Sequence, residues 1–247
     1  MKKTTIVILS LLIATTSLFG WSKKVKNSGN LGRTYIGIGA AADFAKGKMN
    51  GEKSDAMGGS AKLLFNIPVF KPNVNVLKGV PWFGMDLTPF VGYGYQSFPS
   101  VATSVLGDSG QYLQVGASVT PYLNFETGWE YLCAIKPFIS GTAAYQHNWA
   151  DNSVVSNFDD SAFAYGFGAG IEFVITDRLS LTPMWKWNSN SANHAQDIQS
   201  LAVDLTFWAS DQIGFSLFFE HDIRFKVGNY EQENNTVGVM LRIGFPR

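Results

Sequence analysis

The stretch Val237-Gly238-Val239-Met240-Leu241-Arg242-Ile243-Gly244-Phe245 alternates strictly between two kinds of side chain. The odd positions are all large and apolar, whereas the even positions hold glycine, methionine and one arginine. A period of two predicts a β-strand, because successive side chains of a strand point to opposite faces of the sheet. One face of this strand is therefore wholly apolar. Such a strand fits a sheet that covers a core, or a barrel wall that faces lipid.

The N-terminal residues have the layout of a secretory signal peptide. Two lysines precede an apolar run from Ile6 to Ala14, and small polar residues follow it. The run is too short to span a bilayer as a helix, which takes about 20 apolar residues. We therefore predict a cleaved signal over residues 1–20, a polar periplasmic lead over residues 21–32, and one domain over residues 33–247.

Composition excludes several classes of partner. Charged residues make up only 15% of the chain and aromatic residues 14%, with 19 basic and 19 acidic side chains. This balance leaves no basic stripe for nucleic acid, so we predict no nucleic-acid partner. Cys133 is the only cysteine and cannot form an internal disulfide. No spacing of metal ligands stands out, and we predict neither a metal site nor a cofactor.

Similar alternation recurs along the whole domain and predicts an all-β fold. Ten segments read as strands: 35–44, 60–67, 85–95, 113–119, 137–147, 163–173, 179–187, 201–207, 213–225 and 237–245. With an export signal and apolar strand faces, these segments predict a closed antiparallel up-and-down transmembrane β-barrel of about ten strands. A count of eight strands is the alternative.

Connection lengths give the barrel an expected orientation. Thr176–Arg178 and Ala209–Gln212 are short connections, and bacterial barrels place short turns in the periplasm and longer loops outside. Both chain ends are then periplasmic. The expected external loops are 46–57, 97–110, 148–161, 189–197 and 228–235. The connections 68–81 and 126–136 are longer than this rule predicts for periplasmic turns.

Two further stretches resemble a known group of membrane proteins. The stretches are Gly166-Phe167-Gly168-Ala169-Gly170-Ile171-Glu172-Phe173-Val174-Ile175-Thr176-Asp177-Arg178-Leu179-Ser180-Leu181 and Thr88-Pro89-Phe90-Val91-Gly92-Tyr93-Gly94-Tyr95. They are similar to hairpin and strand patterns of the outer-membrane β-barrel superfamily, which includes opacity-protein-like and outer-membrane protein A-type barrels. The terminal strand, which ends in an aromatic residue, resembles the assembly signal of these barrels. The resemblance implies location in the bacterial outer membrane, contact with lipid and lipopolysaccharide, and recognition by the barrel-assembly machinery through the C-terminal strand.

The chain also departs from the pattern of this superfamily. Small members usually have eight strands, and their terminal aromatic residue is usually the last, whereas Pro246 and Arg247 follow Phe245.

Charged side chains on the inward faces are the candidate site residues. Both signs are nearly balanced, which predicts ion pairs inside the lumen rather than a selectivity ring of one sign. The lumen ion-pair candidates are Lys62, Asp86, Glu172, Lys186, Asp204, Glu220, Asp222, Arg224 and Arg242. We expect Glu220 and Asp222 to meet Arg224 and Arg242, because the last two strands are neighbours. Long inward side chains, Phe218 and Met184 among them, are expected to close the lumen.

These observations favour a non-enzymatic role: structure, surface binding or adhesion, or a narrow pore. The sequence names no external ligand, and we predict no catalytic residue. One alternative is a membrane hydrolase at the outer rim, acting through aspartate and His147, His194 or His221. Trp187-Asn188-Ser189-Asn190 faintly resembles the His-x-Ser-Asn motif of lipid A deacylases, but Trp187 replaces the base. A second alternative is a soluble secreted barrel that holds a small apolar ligand.

Overall fold

The structure, a computed structural model, describes residues 29–70, 81–97, 109–151, 160–191, 197–222, 225–227 and 230–245. The expected signal peptide and residues 21–28 of the expected lead lie outside this part of the chain. The described residues form eleven strand segments. These are β1 (Tyr35–Met49), β2 (Glu52–Phe70), β3 (Trp82–Ser97), β4 (Ser109–Trp129), β5 (Leu132–Asp151), β6 (Asp160–Val174), β7 (Leu179–Asn190), β8 (Ile198–Trp208), β9 (Ile213–Asp222), β10 (Phe225–Val227) and β11 (Tyr230–Gly244).

The segments close into one barrel. Each strand from β1 to β9 pairs antiparallel with the next, β9 pairs with β11, and β11 pairs with β1. The short β10 pairs with β11 beyond the end of β9, so the wall has ten strands around its circumference. The register of the closing pair runs from Tyr35↔Gly244 to Met49↔Tyr230. The predicted ten-stranded up-and-down barrel is confirmed, and the eight-stranded alternative is wrong.

The apolar faces of the strands point away from the lumen. On β11, Val237, Val239 and Ile243 are exposed, whereas Met240 and Arg242 between them are buried. Other strands repeat the pattern with exposed Val91, Val115, Ile139, Phe167, Val203, Phe215 and Leu217. Soluble monomers rarely expose a continuous apolar surface of this extent, whereas a membrane barrel exposes one to the hydrocarbon chains of lipid. The soluble alternative required apolar side chains inside and charges outside, which is the reverse of this arrangement.

Some expected loops are strands joined by tight turns. β1 and β2 are linked by Asn50 and Gly51, which both have positive φ, of 52° and 91°. Two successive positive φ values define the turn that matches the twist of a two-residue hairpin. The expected loop over 46–57 is therefore wrong. The charges in this segment lie on paired strands instead, where Lys46 is in register with Asp55 on β2 and with Glu233 on β11.

The connection over 126–136 is also shorter than expected, because the strands extend until Trp129 pairs with Leu132. Likewise β11 begins at Tyr230, inside the loop expected over 228–235. The central parts of the other expected loops, 98–108, 152–159 and 192–196, lie outside the described residues, as do residues 71–80.

The barrel has two distinct ends. We call the end where β1 begins and β11 finishes the terminal end; the connections 175–178 and 209–212 lie there too. We call the opposite end, which carries the Asn50–Gly51 turn, the loop end. Most of the side chains buried in the lumen lie toward the terminal end, among them Asn66, Tyr122, Thr206 and Trp208.

Candidate functional site: the lumen and its terminal end

A cavity of ≈ 650 Å³ lies inside the barrel wall. Most of the residues that line it are polar, because the inward positions of most strands hold hydroxyl, amide or charged side chains. Representative lining residues are Asn66, Thr88, Gln114, Ser118, Ser140, Thr142, Gln146 and Asn188. Phe90, Leu64 and Met184 add apolar patches. We call this space the chamber. We expected long side chains to fill the lumen, but Met184, Lys186 and Arg242 line an open space instead.

Three charged side chains are buried together near the terminal end. Asp86 on β3 and Glu172 on β6 have no exposed surface, and Lys136 on β5 is 4% exposed. Lys136 Nζ lies 3.3 Å from Glu172 Oε2. Buried charges are costly unless they are paired and hydrogen-bonded, so two carboxylates and one ammonium require further partners.

Those partners come from the residues just before β1. Glu172 accepts backbone hydrogen bonds from Asn30 N at 2.5 Å and from Leu31 N at 3.2 Å. Gly32 N donates to Asp86 Oδ2 at 2.8 Å, and Lys136 Nζ donates to Leu31 O at 3.0 Å. Three consecutive amides therefore bind two buried carboxylates through charge-assisted hydrogen bonds.

Side-chain contacts also hold this segment against the wall. Asn30 Nδ2 donates to Thr206 Oγ1 at 2.8 Å, and Trp208 Nε1 donates to Asn30 Oδ1 at 3.3 Å. The guanidinium of Arg33 lies 3.8 Å from the centroid of the Trp208 ring, a distance typical of a cation–π contact. Asn66 Nδ2 donates to Arg33 O at 2.8 Å.

Two glycines allow the segment to reach the wall. Gly29 has φ +96°, and a Cβ there would lie 2.7 Å from Glu172 Oε2. Gly32 has φ 80°, a conformation that side chains rarely adopt. We call Gly29–Arg33 the plug, because Asn30 and Leu31 line the end of the chamber. The sequence placed residues 21–32 in a free periplasmic lead and did not predict that residues 29–32 enter the barrel.

A second buried network lies beside the plug. Arg242 Nη2 is 2.8 Å from Asp204 Oδ2, Arg242 Nε donates to Ser216 Oγ at 2.6 Å, and Arg242 Nη1 donates to Tyr35 Oη. Thr206 Oγ1 donates to Asp204 Oδ1 at 2.7 Å. The network ties β8, β9 and β11 to the first residue of β1.

The chamber carries its own charges nearer the loop end. Lys186 Nζ lies 2.6 Å from Glu220 Oε2. Lys62 Nζ lies 4.2 Å from the centroid of the Phe90 ring, and Lys62 is exposed although it faces the lumen. Its exposed surface faces the chamber. Asp222 lies two positions after Glu220 on the same face of β9.

The pairing differs from the one expected for the last strands. Glu220 meets Lys186 on β7, and Arg242 meets Asp204 on β8, so neither pair joins two adjacent strands. Arg224 lies outside the described residues. Sequence reasoning missed Lys136, Asn66 and Trp208. Lys136 could have been found, because it continues the inward series of Phe138, Ser140 and Thr142 one position before the strand expected from residue 137.

The described histidines belong to the outer surface of the wall. His147 and His221 share the outward faces of β5 and β9 with Tyr145 and Phe219. His147 Nδ1 lies 2.9 Å from Ser161 Oγ, and His221 Nδ1 lies 3.0 Å from Asn235 Oδ1. His194 lies outside the described residues. Among the residues that the structure describes, no group of three or more histidine, cysteine, aspartate and glutamate side chains could hold a metal ion.

The closed ten-stranded wall, apolar outside and polar inside, defines the class: a transmembrane β-barrel. Within the described ranges, no helix has the length and apolar character needed to cross a membrane.

The comparisons with solved structures return outer-membrane proteins. Neisserial surface protein A is 14% identical, with 85% of this chain and 97% of that chain covered and a TM-score of 0.38. An outer membrane channel from Pseudomonas putida F1 is 11% identical, with 91% and 100% covered and a TM-score of 0.47. Ail, the attachment invasion locus protein of Yersinia pestis, is 11% identical, with 85% and 99% covered and a TM-score of 0.30. No family model and no curated protein matches the chain. These similarities assign no activity to it.

Proposed function

We propose that this chain is a bacterial outer-membrane barrel that provides a narrow, normally closed passage for small polar solutes. The observation that carries the proposal is the chamber of ≈ 650 Å³, which is lined mostly by polar residues. At the terminal end the plug closes the chamber together with side chains of the wall. A lumen filled by side chains would suffice for a membrane anchor, whereas this wall encloses an open space lined by hydroxyl and amide groups.

Location and orientation follow from the export signal over residues 1–20 and from the connection lengths. In this orientation the terminal end and the plug face the periplasm, and the loop end faces the cell exterior. Lipid and lipopolysaccharide contact the apolar band, and the barrel-assembly machinery recognises β11. The proposal includes no catalytic step, which is supported by the outward orientation of His147 and His221 on the wall.

Single-channel recording in planar bilayers tests the passage. The wild-type barrel should show long closed periods with rare, small openings. Ser118→Trp places a large ring in the chamber and should reduce the size of the openings by at least about half, since a filled lumen leaves no path for water. Val119→Trp on the same strand faces outward and is the matched control, because its ring meets lipid.

Two results would contradict the proposal. In the first, Ser118→Trp leaves the openings unchanged, as Val119→Trp does. In the second, no opening occurs at any applied voltage in wild type, and none occurs in a variant that lacks residues 21–33.

Surface binding is a second candidate, favoured by the length of the strands. β4 and β5 contain 21 and 20 residues, whereas a strand crosses a bilayer with about 9–11. At the loop end the β1–β2 hairpin carries Lys46, Lys48 and Lys53 on exposed positions, beside the exposed acidic residues Glu52 and Asp55. This rim could hold an external ligand. Replacing these three lysines by glutamine should weaken binding of producing cells to an anionic surface, and unchanged binding would argue against the rim.

A further inference from the structure

The plug occupies a site that is formed by the wall and is separable from it. The plug takes no part in the backbone ladder of the barrel: its own backbone–backbone bond joins Arg33 N to Asn30 O at 3.3 Å. The wall holds it through side chains, chiefly those of Glu172, Asp86 and Lys136. The segment can therefore leave without breaking any pairing between strands.

The chemistry of this site selects a peptide backbone. Two buried carboxylates accept three successive amide protons, and a buried ammonium donates to a carbonyl of the same segment. Asn30 adds side-chain contacts to Thr206 and Trp208, and Arg33 adds contacts to Trp208 and Asp211. The positive φ values at Gly29 and Gly32 restrict the fit to glycine at both positions.

The segment also has a fixed hinge. Thr34 O accepts a hydrogen bond from Phe245 N at 3.1 Å, which fastens the chain to the rim directly after the plug. On the other side of the plug, residues 21–28 include Lys23, Lys24 and Lys26. A rotation about the hinge would carry Gly29–Arg33 out of the terminal end of the barrel. Water would then solvate Asp86, Glu172 and Lys136.

We propose that the terminal end of the barrel is a peptide-binding site, occupied by the chain's own Asn30-Leu31-Gly32 backbone, and that release of this segment opens the passage. This inference rests on the proposed passage through the chamber. The ligand class is a short peptide folded into a turn, with glycine before and after an asparagine–leucine pair, bound through its amides.

The first test removes the plug and returns it as a separate peptide. Deletion of residues 21–33 should raise the open probability in planar bilayers by about tenfold or more, because the closed state loses its binding energy. Deletion of residues 21–28 is the matched control and should leave the open probability at the wild-type value. Heat-modifiable gel mobility verifies that both variants are folded.

A synthetic peptide with the sequence Asn-Ser-Gly-Asn-Leu-Gly-Arg of residues 27–33, added on the terminal side, should close the barrel that lacks residues 21–33. The same peptide with Gly32→Pro lacks the amide that binds Asp86 and should not block. A folded deletion variant with rare openings like those of wild type would overturn the plug while leaving the passage intact. A deletion variant that conducts but ignores both peptides would overturn the peptide-binding site.

A second variant keeps the full chain, and heat-modifiable gel mobility verifies that it is folded. Asn30→Cys with Thr206→Cys, in a Cys133→Ser background, places two thiols where the native side chains are 2.8 Å apart. Joining them as a disulfide with an added mild oxidant, which takes up the two electrons and two protons of the thiols, should abolish the rare openings of the uncross-linked protein. Openings that persist at the same frequency after complete cross-linking would overturn the proposal. If neither the deletion variant nor the wild type ever conducts, the passage itself is wrong.

Discussion

Arg242 Nη2 lies 2.8 Å from Asp204 Oδ2 across the inner face of β9, which separates their two strands. Arg242 also donates to Ser216 and to the hydroxyl of Tyr35, so one guanidinium joins the last strand to three others. The side chain is 4% exposed. A charge in such a place stabilises the fold only while its partners remain.

Arg242→Met should therefore destabilise the barrel strongly. It leaves the Asp204 carboxylate without its cation, and breaking a buried ion pair from one side costs about 3–5 kcal/mol. The measurement is the free energy of unfolding by urea in lipid vesicles. Asp211→Asn is the control, because the side chain of Asp211 is 99% exposed beside Arg33. Removing its charge should leave the free energy of unfolding unchanged. An Arg242→Met barrel as stable as the control would mean that water compensates Asp204.

Gly84 and Gly92 face the lumen from the same strand but differ in the space around them. A Cβ at Gly84 would overlap the ring of Tyr122, which is 2% exposed, whereas a Cβ at Gly92 would have nothing nearer than 3.8 Å. Gly84→Ala should lower the free energy of unfolding by about 1–3 kcal/mol, the usual cost of overpacking. Gly92→Ala should have little effect. Equal losses in the two variants would show that Tyr122 moves aside easily.

The fold was predictable from the sequence because lipid imposes a simple rule on each strand. Val237, Val239 and Ile243 had to share one face, and this period of two located all ten strands. The ends of the strands were less predictable. Lys46 and Glu233 suggested a solvated loop, but beyond the bilayer a strand can carry charge on either face, and these two residues pair across β1 and β11.

The site was less predictable than the wall. Alternation identified which charged side chains face inward, but not their partners, since neither Lys186–Glu220 nor Arg242–Asp204 joins neighbouring strands. The plug left no periodic signal, because Gly29–Arg33 binds through backbone amides. Only the two glycines in an otherwise polar segment could have suggested an unusual backbone there.

The Asn50–Gly51 turn provides a test of the β1–β2 hairpin. Gly51→Ala forces a side chain into a left-handed conformation at φ 91° and should cost about 1–2 kcal/mol locally. The hairpin should then open more often, so trypsin should cut after Lys48 or Lys53 faster than in wild type. Asn50→Gly retains the turn and is the control. Mass spectrometry of shaved intact cells reads the cuts, and protection of these sites in every variant would place the loop end inside the cell envelope.

Cysteine labelling tests which side of the plug is open to the exterior. In a Cys133→Ser background, Lys62→Cys should react with a membrane-impermeant maleimide added to intact cells, because Lys62 is exposed within the chamber. Asn66→Cys lies on the same strand near the plug, where Asn66 is 4% exposed, and should react at least about tenfold more slowly, as expected for a thiol that needs rare openings. Faster labelling of Asn66→Cys would place the open mouth at the terminal end.

The ion pair between Lys186 and Glu220 should set the ion preference of the barrel once the plug is absent. Its two charges lie 2.6 Å apart on the chamber wall, so each cancels much of the field of the other. In a barrel that lacks residues 21–33, Lys186→Gln exposes the carboxylate and should favour cations, whereas Glu220→Gln exposes the ammonium and should favour anions. The double variant should return toward the parent. Reversal potentials in a salt gradient measure these shifts, with Lys48→Gln at the loop end as the control. If both single variants shift the reversal potential in the same direction, the passage does not run along this wall.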